Sequence, residues 1–354
     1  MRKMSGLDRR ATAPRFSSAV ALGALVLLAM PAPQPAWAND SVAHLAAGGL
    51  VLSRTDAIAM ASEDLYVSTS EIRVRYRFVN QTDNDVTTLV AFPLPDITAP
   101  SEEYNFVIPE PDAATNFLDF KTMIDGLPVA MQVEQRALAL GVDRTELLNS
   151  LSVPIAPHTQ DVTERLDALP QATLNELAEL GMIAYDEFDI GKGWERHARP
   201  LWLARTTYYW KQTFPAGQEV SVEHRYRPSV GGSAQTSVGA DYADATSMRD
   251  YTERYCLDDG FIRAAKAMQQ RKPKTGTLIA SEQRFEYVLT TGANWAGSIR
   301  EFHLTVDKGD PQNLVSFCMD GIKKVSPTRF EATREYFWPE RNLAVLLLVP
   351  VNLP

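Results

Sequence analysis

The side chains best suited to chemistry lie between residues 186 and 197. They are Asp186, Glu187, Asp189, Glu195 and His197. Carboxylate oxygens bind calcium, and carboxylates combined with an imidazole bind zinc. The spacing fits neither an EF-hand loop nor two histidines one helical turn apart, and the glycines at 191 and 193 indicate a mobile loop. We therefore predict a solvated acidic loop and no metal; in the alternative, the ligands are Asp186, Asp189 and His197.

The densest aromatic stretch of the chain overlaps the end of this segment. Its members are Trp194, Trp202, Tyr208, Tyr209 and Trp210. Aromatic rings fill protein cores, which is the interpretation we favour, but exposed rings also stack on sugars and anchor partner proteins. The alternative is therefore a partner-binding face that includes Trp194, Trp202, Tyr209 and Trp210.

The sequence contains no common catalytic motif. A Gly-x-Ser-x-Gly elbow, a His-Glu-x-x-His pair and a phosphate-binding glycine loop are all absent. The remaining histidines are scattered, and His224 alternates with valines, which predicts an inward-facing, hydrogen-bonded side chain. We predict no catalytic residue, no cofactor-binding residue and no cofactor, and we favour a protein that is not an enzyme.

The first 38 residues have the pattern of an export signal. Five basic residues precede the apolar run Ala19 to Met30, and Ala36-Trp37-Ala38 matches an A-x-A cleavage site. The run is shorter than the roughly 20 residues that span a bilayer. We expect cleavage after Ala38 and a periplasmic mature protein with no stable membrane span; the alternative is an uncleaved anchor.

Charge argues against several kinds of partner. The formal net charge is −9, and removal of residues 1–38, with five basic residues and one acidic residue, makes it −13. An acidic surface repels nucleic acid and anionic lipid. We expect no nucleic-acid partner and propose another envelope protein as the partner to look for.

Cys256 and Cys318 are the only cysteines. Cysteines of an exported chain usually pair in an oxidising compartment, so we predict a disulfide between them. The alternative is two buried free thiols.

The elements that must position these residues are mostly strands. Polar and apolar residues alternate from Glu71 to Phe78 and from Val86 to Phe92, which predicts an antiparallel hairpin turning at residues 80–85. Asp125-Gly126 lies between two further alternating runs and predicts a second hairpin. Strands are also expected at residues 205–214 and 220–226, joined by a turn at Pro215 to Gln218.

A helical insert interrupts this pattern at about residues 137–200. Leucines recur at helical spacings from Thr163, a candidate cap, to Gly181, a candidate stop. The fold class is therefore mainly β: an antiparallel β-sandwich at residues 39–235 with this insert, and a second β-rich region at residues 236–354 with one short helix, at residues 261–270.

Several longer motifs carry a resemblance to a known family. In the first half they are Asn39-Asp40-Ser41, Gly48-Gly49-Leu50, Glu63-Asp64-Leu65, Val74-Arg75-Tyr76-Arg77-Phe78, Asp85-Val86-Thr87-Thr88 and Phe92-Pro93-Leu94-Pro95-Asp96. In the second half they are Thr291-Gly292-Ala293-Asn294-Trp295, Leu304-Thr305-Val306-Asp307-Lys308, Ser316-Phe317-Cys318 and Pro327-Thr328-Arg329-Phe330-Glu331. The mature chain resembles the bacterial family called domain of unknown function 4424. That family has no assigned activity, so the resemblance implies no site residues.

A weaker resemblance concerns the order of elements. A strand ending in Phe-Pro-Leu-Pro, a hairpin, a helical segment and Phe214 to Val220 follow one another as in the vault and inter-α-trypsin domain. That domain is a β-sandwich found in protein–protein assemblies. The function we expect from the sequence is non-catalytic binding or scaffolding in the cell envelope; the alternatives are a metal-dependent periplasmic hydrolase that uses residues 186–197 and a small-ligand carrier.

Overall fold

The structure is a computed structural model, and it describes residues 39–46, 49–99, 106–189, 191, 193–271 and 277–353. Most of its elements are strands. The first ten are β1 (Ser41–Ala46), β2 (Gly49–Ser53), β3 (Ile58–Val67), β4 (Ile72–Asn80), β5 (Val86–Pro93), β6 (Phe106–Val107), β7 (Lys121–Ile124), β8 (Leu127–Pro128), β9 (Gln132–Ala139) and β10 (Val142–Asp143). The next five are β11 (Ile183–Asp189), β12 (Trp194–Pro200), β13 (Leu203–Phe214), β14 (Glu219–Tyr226) and β15 (Val230–Ser233). The last six are β16 (Thr277–Tyr287), β17 (Ile299–Asp307), β18 (Leu314–Phe317), β19 (Lys323–Lys324), β20 (Arg329–Phe337) and β21 (Leu343–Leu353).

The strands form three large sheets and one two-stranded sheet. The strand orders are β10-β9-β13-β5-β1-β2, β19-β20-β17-β3-β4-β14-β7-β8, β18-β21-β16-β15-β6, and β11-β12. Nearly all pairs are antiparallel, and β3 with β17 is a parallel pair. The predicted mainly β, antiparallel fold class is confirmed.

The six- and eight-stranded sheets pack against each other through aromatic side chains. Phe92 of β5 lies with its ring centroid 4.8 Å from that of His224 of β14. Phe120 stacks on Tyr208 of β13 at 4.6 Å. Residues of the five-stranded sheet, such as Tyr287 and Val345, join the same buried cluster. The burial of these rings is what holds the layers together, because apolar area removed from water stabilises the folded state by about 25 cal/mol per Å².

The predicted hairpin between β4 and β5 is wrong. β4 pairs with β3 and β14 in the eight-stranded sheet, and β5 pairs with β1 and β13 in the six-stranded sheet. The connection therefore carries the chain from one layer to the other. Buried Asn80 fixes it, because its amide donates to the carbonyl oxygens of Asn84 and Phe214, both at 2.8 Å. Strands β13 and β14 are likewise split between these two layers.

The hairpin predicted at Asp125-Gly126 is present. Strands β7 and β8 pair across it, with Ile124 opposite Leu127. Both turn residues have positive φ, 48° at Asp125 and 79° at Gly126, as a two-residue turn of this kind requires. The hairpin is short, because the chain soon leaves for β9 in the six-stranded sheet.

The helical insert is shorter than predicted. Its helices are α1 (Thr145–Ser150), α2 (Gln160–Asp167) and α3 (Gln171–Glu179), and the chain then returns to strand structure in β11 and β12. Thr163 lies inside α2, whose cap position is Thr159, whereas Gly181 does follow α3 with φ 68°. These helices bury a second apolar cluster that includes Leu148, Val162 and Trp202.

The C-terminal region is built into the same sheets. β17 pairs in parallel with β3, so strands from both sides of residue 235 share the eight-stranded sheet. The region holds two helices where one was predicted: α4 (Ala245–Tyr255) and α5 (Asp259–Gln269). Small and polar residues mask the start of α4 in the sequence. Asp244 fixes that start, because its carboxylate accepts hydrogen bonds from the amides of Thr246 and Ser247. Among the described residues, no helix is long and apolar enough to cross a membrane.

The predicted disulfide joins the end of α4 to the five-stranded sheet. Cys256 and Cys318 are bonded, with Cα atoms 5.1 Å apart. Cys256 follows α4 in a left-handed conformation, φ 54°, which usually belongs to glycine at a helix end. Cys318 lies just after β18, so the bond fixes where the helix ends against the sheet.

Breaking this bond should destabilise the protein. The bond closes a chain segment of 62 residues, and in the chain-entropy model the loss of such a constraint costs about 4 kcal/mol. We expect reduction of the wild type, or the double substitution C256A/C318A, to lower the free energy of unfolding in urea by an amount of this order. Reductant added to C256A/C318A is the control and should have no effect. Equal stability of the oxidised and reduced wild type would contradict the prediction.

Candidate functional site

The predicted acidic loop at residues 186–197 is instead a β-hairpin. β11 and β12 pair antiparallel, with Asp186 opposite His197 and Asp189 opposite Trp194. At the turn, the Asp189 carboxylate accepts from the amides of Gly191 and Gly193, at 2.7 and 3.1 Å. Both glycines have positive φ, 90° and 112°, where a side chain would be strained. The prediction of a mobile loop was wrong because these charged residues alternate across two faces of a ribbon.

The two faces of the hairpin have different surroundings. Side chains opposite each other across an antiparallel pair share a face. We call one the cleft face; it carries Asp186, Phe188, Glu195, His197 and Arg199. We call the other the outer face; it carries Tyr185, Glu187, Asp189, Trp194 and Arg196. Ile183 and Ala198, near the base of the outer face, are buried in the helical cluster.

A cleft of about 520 Å³ lies between the cleft face and the segment that leads into α2. Its lining includes Phe188 and His197 from the hairpin, and His158 and Thr163 from the α2 side. His158 Nε2 lies 3.3 Å from the Ala113 carbonyl oxygen, and burial lowers the pKa of the ring. Within the described part of the chain, His158 Nδ1 has no hydrogen-bond partner. A histidine whose burial favours the neutral form therefore belongs to the wall of the cleft, and in the sequence its residue type is the one signal that points to it.

His197 is held between two carboxylates. Nδ1 lies 2.6 Å from Asp167 Oδ2 of α2, and Nε2 lies 3.4 Å from Glu195 Oε2. Hydrogen bonds to Asp167 and then to Glu195 raise the pKa of His197. The ring also stacks on Phe188, with centroids 5.2 Å apart. The raised pKa favours the protonated form, in which both nitrogens donate and the ring ties the hairpin to α2.

Each of the three candidate metal ligands has a partner in the protein. Both oxygens of Asp186 accept from Arg199 Nε, at 3.0 and 2.9 Å. Asp189 accepts hydrogen bonds from the amides of the turn, and His197 contacts Asp167 and Glu195. Among the described residues, no group of three or more His, Cys, Asp or Glu side chains is placed to hold a metal ion.

The aromatic stretch divides into buried and exposed members. Trp202 is fully buried and donates to the Ile155 carbonyl oxygen at 2.7 Å. Trp210 is buried and Tyr209 is half-buried. Trp194 alone of the three tryptophans is exposed, by 78%. The partner-binding face considered as the alternative therefore loses Trp202 and Trp210, whose rings belong to the two cores.

The state of His197 can be tested by removing the charge of its neighbour. In D167N we expect the pKa of His197 to fall toward its ordinary value, because the hydrogen bond to Asp167 is the largest cause of the raised pKa. The contacts that raise the pKa of His197 stabilise the folded state in full below about pH 6.5, the ordinary histidine pKa. This stabilisation is lost as pH rises through the raised pKa. NMR titration of the ring protons measures the shift. E195Q is the matched control and should shift it less; an unchanged pKa in D167N would refute the assignment.

Comparisons with known proteins add a family and a structural likeness. No curated protein matches the chain. One solved structure that is similar comes from Legionella pneumophila and is described as a "putative nutrient binding protein". The two are 16% identical, the match covers 89% of this chain and 72% of that one, and the TM-score is 0.38. The model of the family described as Domain of unknown function (DUF4424) matches residues 38–346, and the chain therefore belongs to that family.

Proposed function

We propose that this protein is an exported, non-catalytic binding protein of the cell envelope, and that it contacts a protein partner through the outer face of the β11–β12 hairpin. The observation that carries the proposal is the exposure of Trp194 at the tip of that hairpin. A tryptophan exposed by 78% leaves a large apolar ring in water, which a partner would cover.

The neighbours of Trp194 have the composition of an interaction surface. Arg196 is exposed on the same face, its guanidinium lies 3.6 Å from the ring centre of Tyr185, and it pairs with Glu187 at 3.5 Å. Tryptophan, tyrosine and arginine are the residues that most often dominate binding energy at protein interfaces. The pairings hold Arg196 in place, so little side-chain entropy is lost when a partner binds.

Export and a periplasmic location are part of the proposal. They are supported by the basic N-terminal residues, the apolar run and Ala36-Trp37-Ala38. The disulfide between Cys256 and Cys318 suits an oxidising compartment, where such bonds persist.

The cleft supports a second candidate, a carrier of a small ligand. Its volume of about 520 Å³ falls in the range of small-molecule sites. The third class, a metal-dependent hydrolase at residues 186–197, would have to displace Arg199 from Asp186 and Asp167 from His197 before a metal could bind.

Site-specific photo-cross-linking tests the protein-binding proposal. A photoreactive phenylalanine analogue replaces Trp194 in one variant and Trp338 in another, because these two tryptophans are exposed, by 78% and 54%, at different places. In intact cells we expect the variant at 194 to form one discrete adduct that the variant at 338 does not form. The substitution R196A, introduced beside the cross-linker, should reduce the yield several-fold.

Two results would overturn the proposal. One is the same adducts from positions 194 and 338, since a specific face cannot give both. The other is no adduct at 194 together with a stoichiometric metal or small molecule in the protein purified from its native envelope.

A further inference from the structure

We infer that the buried surroundings of Asn39 form a receptor for the chain's own new N terminus: cleavage after Ala38 leaves an α-ammonium group on Asn39 that pairs with the buried carboxylates of Asp40 and Glu63. The inference rests on the export step of the proposed function: if the signal is removed after Ala38, the new N terminus becomes part of the core. We call Asn39, Asp40, Glu63, Tyr76, His224 and Tyr287 the Asn39 cluster.

Asn39 is held on several sides in the middle of the protein. It is fully buried, and its carbonyl oxygen accepts from the hydroxyl of Thr291 at 2.9 Å. Its side-chain amide lies 3.4 Å from the Leu289 carbonyl oxygen and 3.5 Å from Glu63 Oε2, and the Tyr76 hydroxyl donates to its Oδ1. These contacts hold Asn39 beside Glu63, and Asp40 is its neighbour in the chain.

Asp40 lacks a complete set of partners. Its Oδ1 lies 3.0 Å from His224 Nε2, and its backbone carbonyl accepts from Trp295 Nε1 at 2.9 Å. Its Oδ2 is buried and, within the residues that the structure describes, accepts no hydrogen bond. A buried carboxylate oxygen without a donor is costly, so a nearby donor is expected.

The cluster also contains more acid than base. Asp40 and Glu63 are both buried, and among the described residues His224, which contacts Asp40, is the one basic side chain within reach of either acid. The other titratable groups facing the cluster are the hydroxyls of Tyr76, Tyr226 and Tyr287. While Asn39 carries an uncharged amide, burial raises the pKa of Asp40 and raises that of Glu63 to about 8. An added cation would allow both acids to ionise.

Cleavage supplies that cation. Hydrolysis of the Ala38–Asn39 peptide bond by a signal peptidase consumes one water and leaves a carboxylate on Ala38. The nitrogen of Asn39 changes from an amide with one N–H to an ammonium with three. It gains a positive charge and two donors within the buried cluster that contains Asp40 and Glu63.

A catalytic interpretation of the same residues does not fit their burial. Thr122 Oγ1 lies 2.9 Å from His224 Nδ1, opposite the nitrogen that contacts Asp40, as in a catalytic triad. Thr122 is 4% exposed, and His224 and Asp40 are fully buried. No substrate could reach the hydroxyl in this fold.

The test compares two chains that differ by one residue. One begins at Asn39 and the other at Ala38, each released from a cleavable fusion. At pH 7 we expect the Asn39 chain to have an unfolding equilibrium constant at least about tenfold smaller, because in the Ala38 chain the buried Glu63, with its pKa raised to about 8, must take up a proton on folding. Urea denaturation measures this, and E63Q in both chains should remove much of the difference.

The pH dependence separates charge from a steric effect of the extra alanine. Pairing raises the pKa of an amine, so the amine's own contribution should be complete below about pH 8, the ordinary α-amine value, and be lost as pH rises through the raised value. In the Ala38 chain the pKa of Glu63 is raised to about 8 in the folded state and is about 4.5 in the unfolded state. Between these two pH values the unfolded chain has lost the Glu63 proton and the folded chain still holds it, so the stability of the Ala38 chain should fall as pH rises.

The outcomes distinguish the capture of the N terminus from the export step. Equal stability of the two chains at every pH, or a difference that E63Q and pH leave unchanged, overturns the capture. N-terminal sequencing of the protein from its native envelope tests the cleavage itself. A mature N terminus other than Asn39 would overturn the export step on which the inference rests.

Discussion

The burial of Asn39 and Asp40 between the layers is the constraint on which the rest of this fold depends. These two residues make polar contacts with distant parts of the chain: with His224 of β14, and with Leu289, Thr291 and Trp295 around the 3₁₀ helix Thr290–Asn294. A buried polar group that loses its hydrogen-bond partner destabilises the fold by the full cost of its desolvation. The two large sheets and this helix can therefore meet in few arrangements, because most others would leave several such groups unpaired.

Sequence pattern predicts the faces of the strands well and their partners poorly. Ile72, Val74, Tyr76 and Phe78 are all fully buried, as their alternation predicts, because the face of a strand is a local property. Which strands pair is decided by contacts between distant residues. Nothing local distinguishes a turn that returns a strand along its neighbour from one that crosses to the opposite layer, so the connection at Asn80 was assigned to the wrong kind of turn. Asp125-Gly126 was assigned correctly because two adjacent residues with positive φ specify a tight hairpin by themselves.

The candidate site shows the same limit. The disulfide was predictable because the chain has only two cysteines. Burial of an individual tryptophan was not, since Trp194, Trp202 and Trp210 have the same side chain and differ only in what the fold places around them. The Asn39 cluster was missed for a related reason: Asn39 and Asp40 follow a predicted cleavage site and are of residue types that mostly lie at the surface, and only the fold shows that both are buried.

The proposed binding face and the Asn39 cluster lie on different apolar cores. The hairpin base packs on the helical cluster with Ile183 and Ala198, whereas Tyr76 and Tyr287 belong to the sandwich core. β9 bridges them, with Ala137 in the helical cluster and Val133 against the sandwich. Substitutions that are far apart and share no partners have additive effects. A change at Trp194 should therefore leave the stability of the Asn39 cluster intact, so the proposed binding face and the proposed N-terminal receptor can be varied separately in one protein.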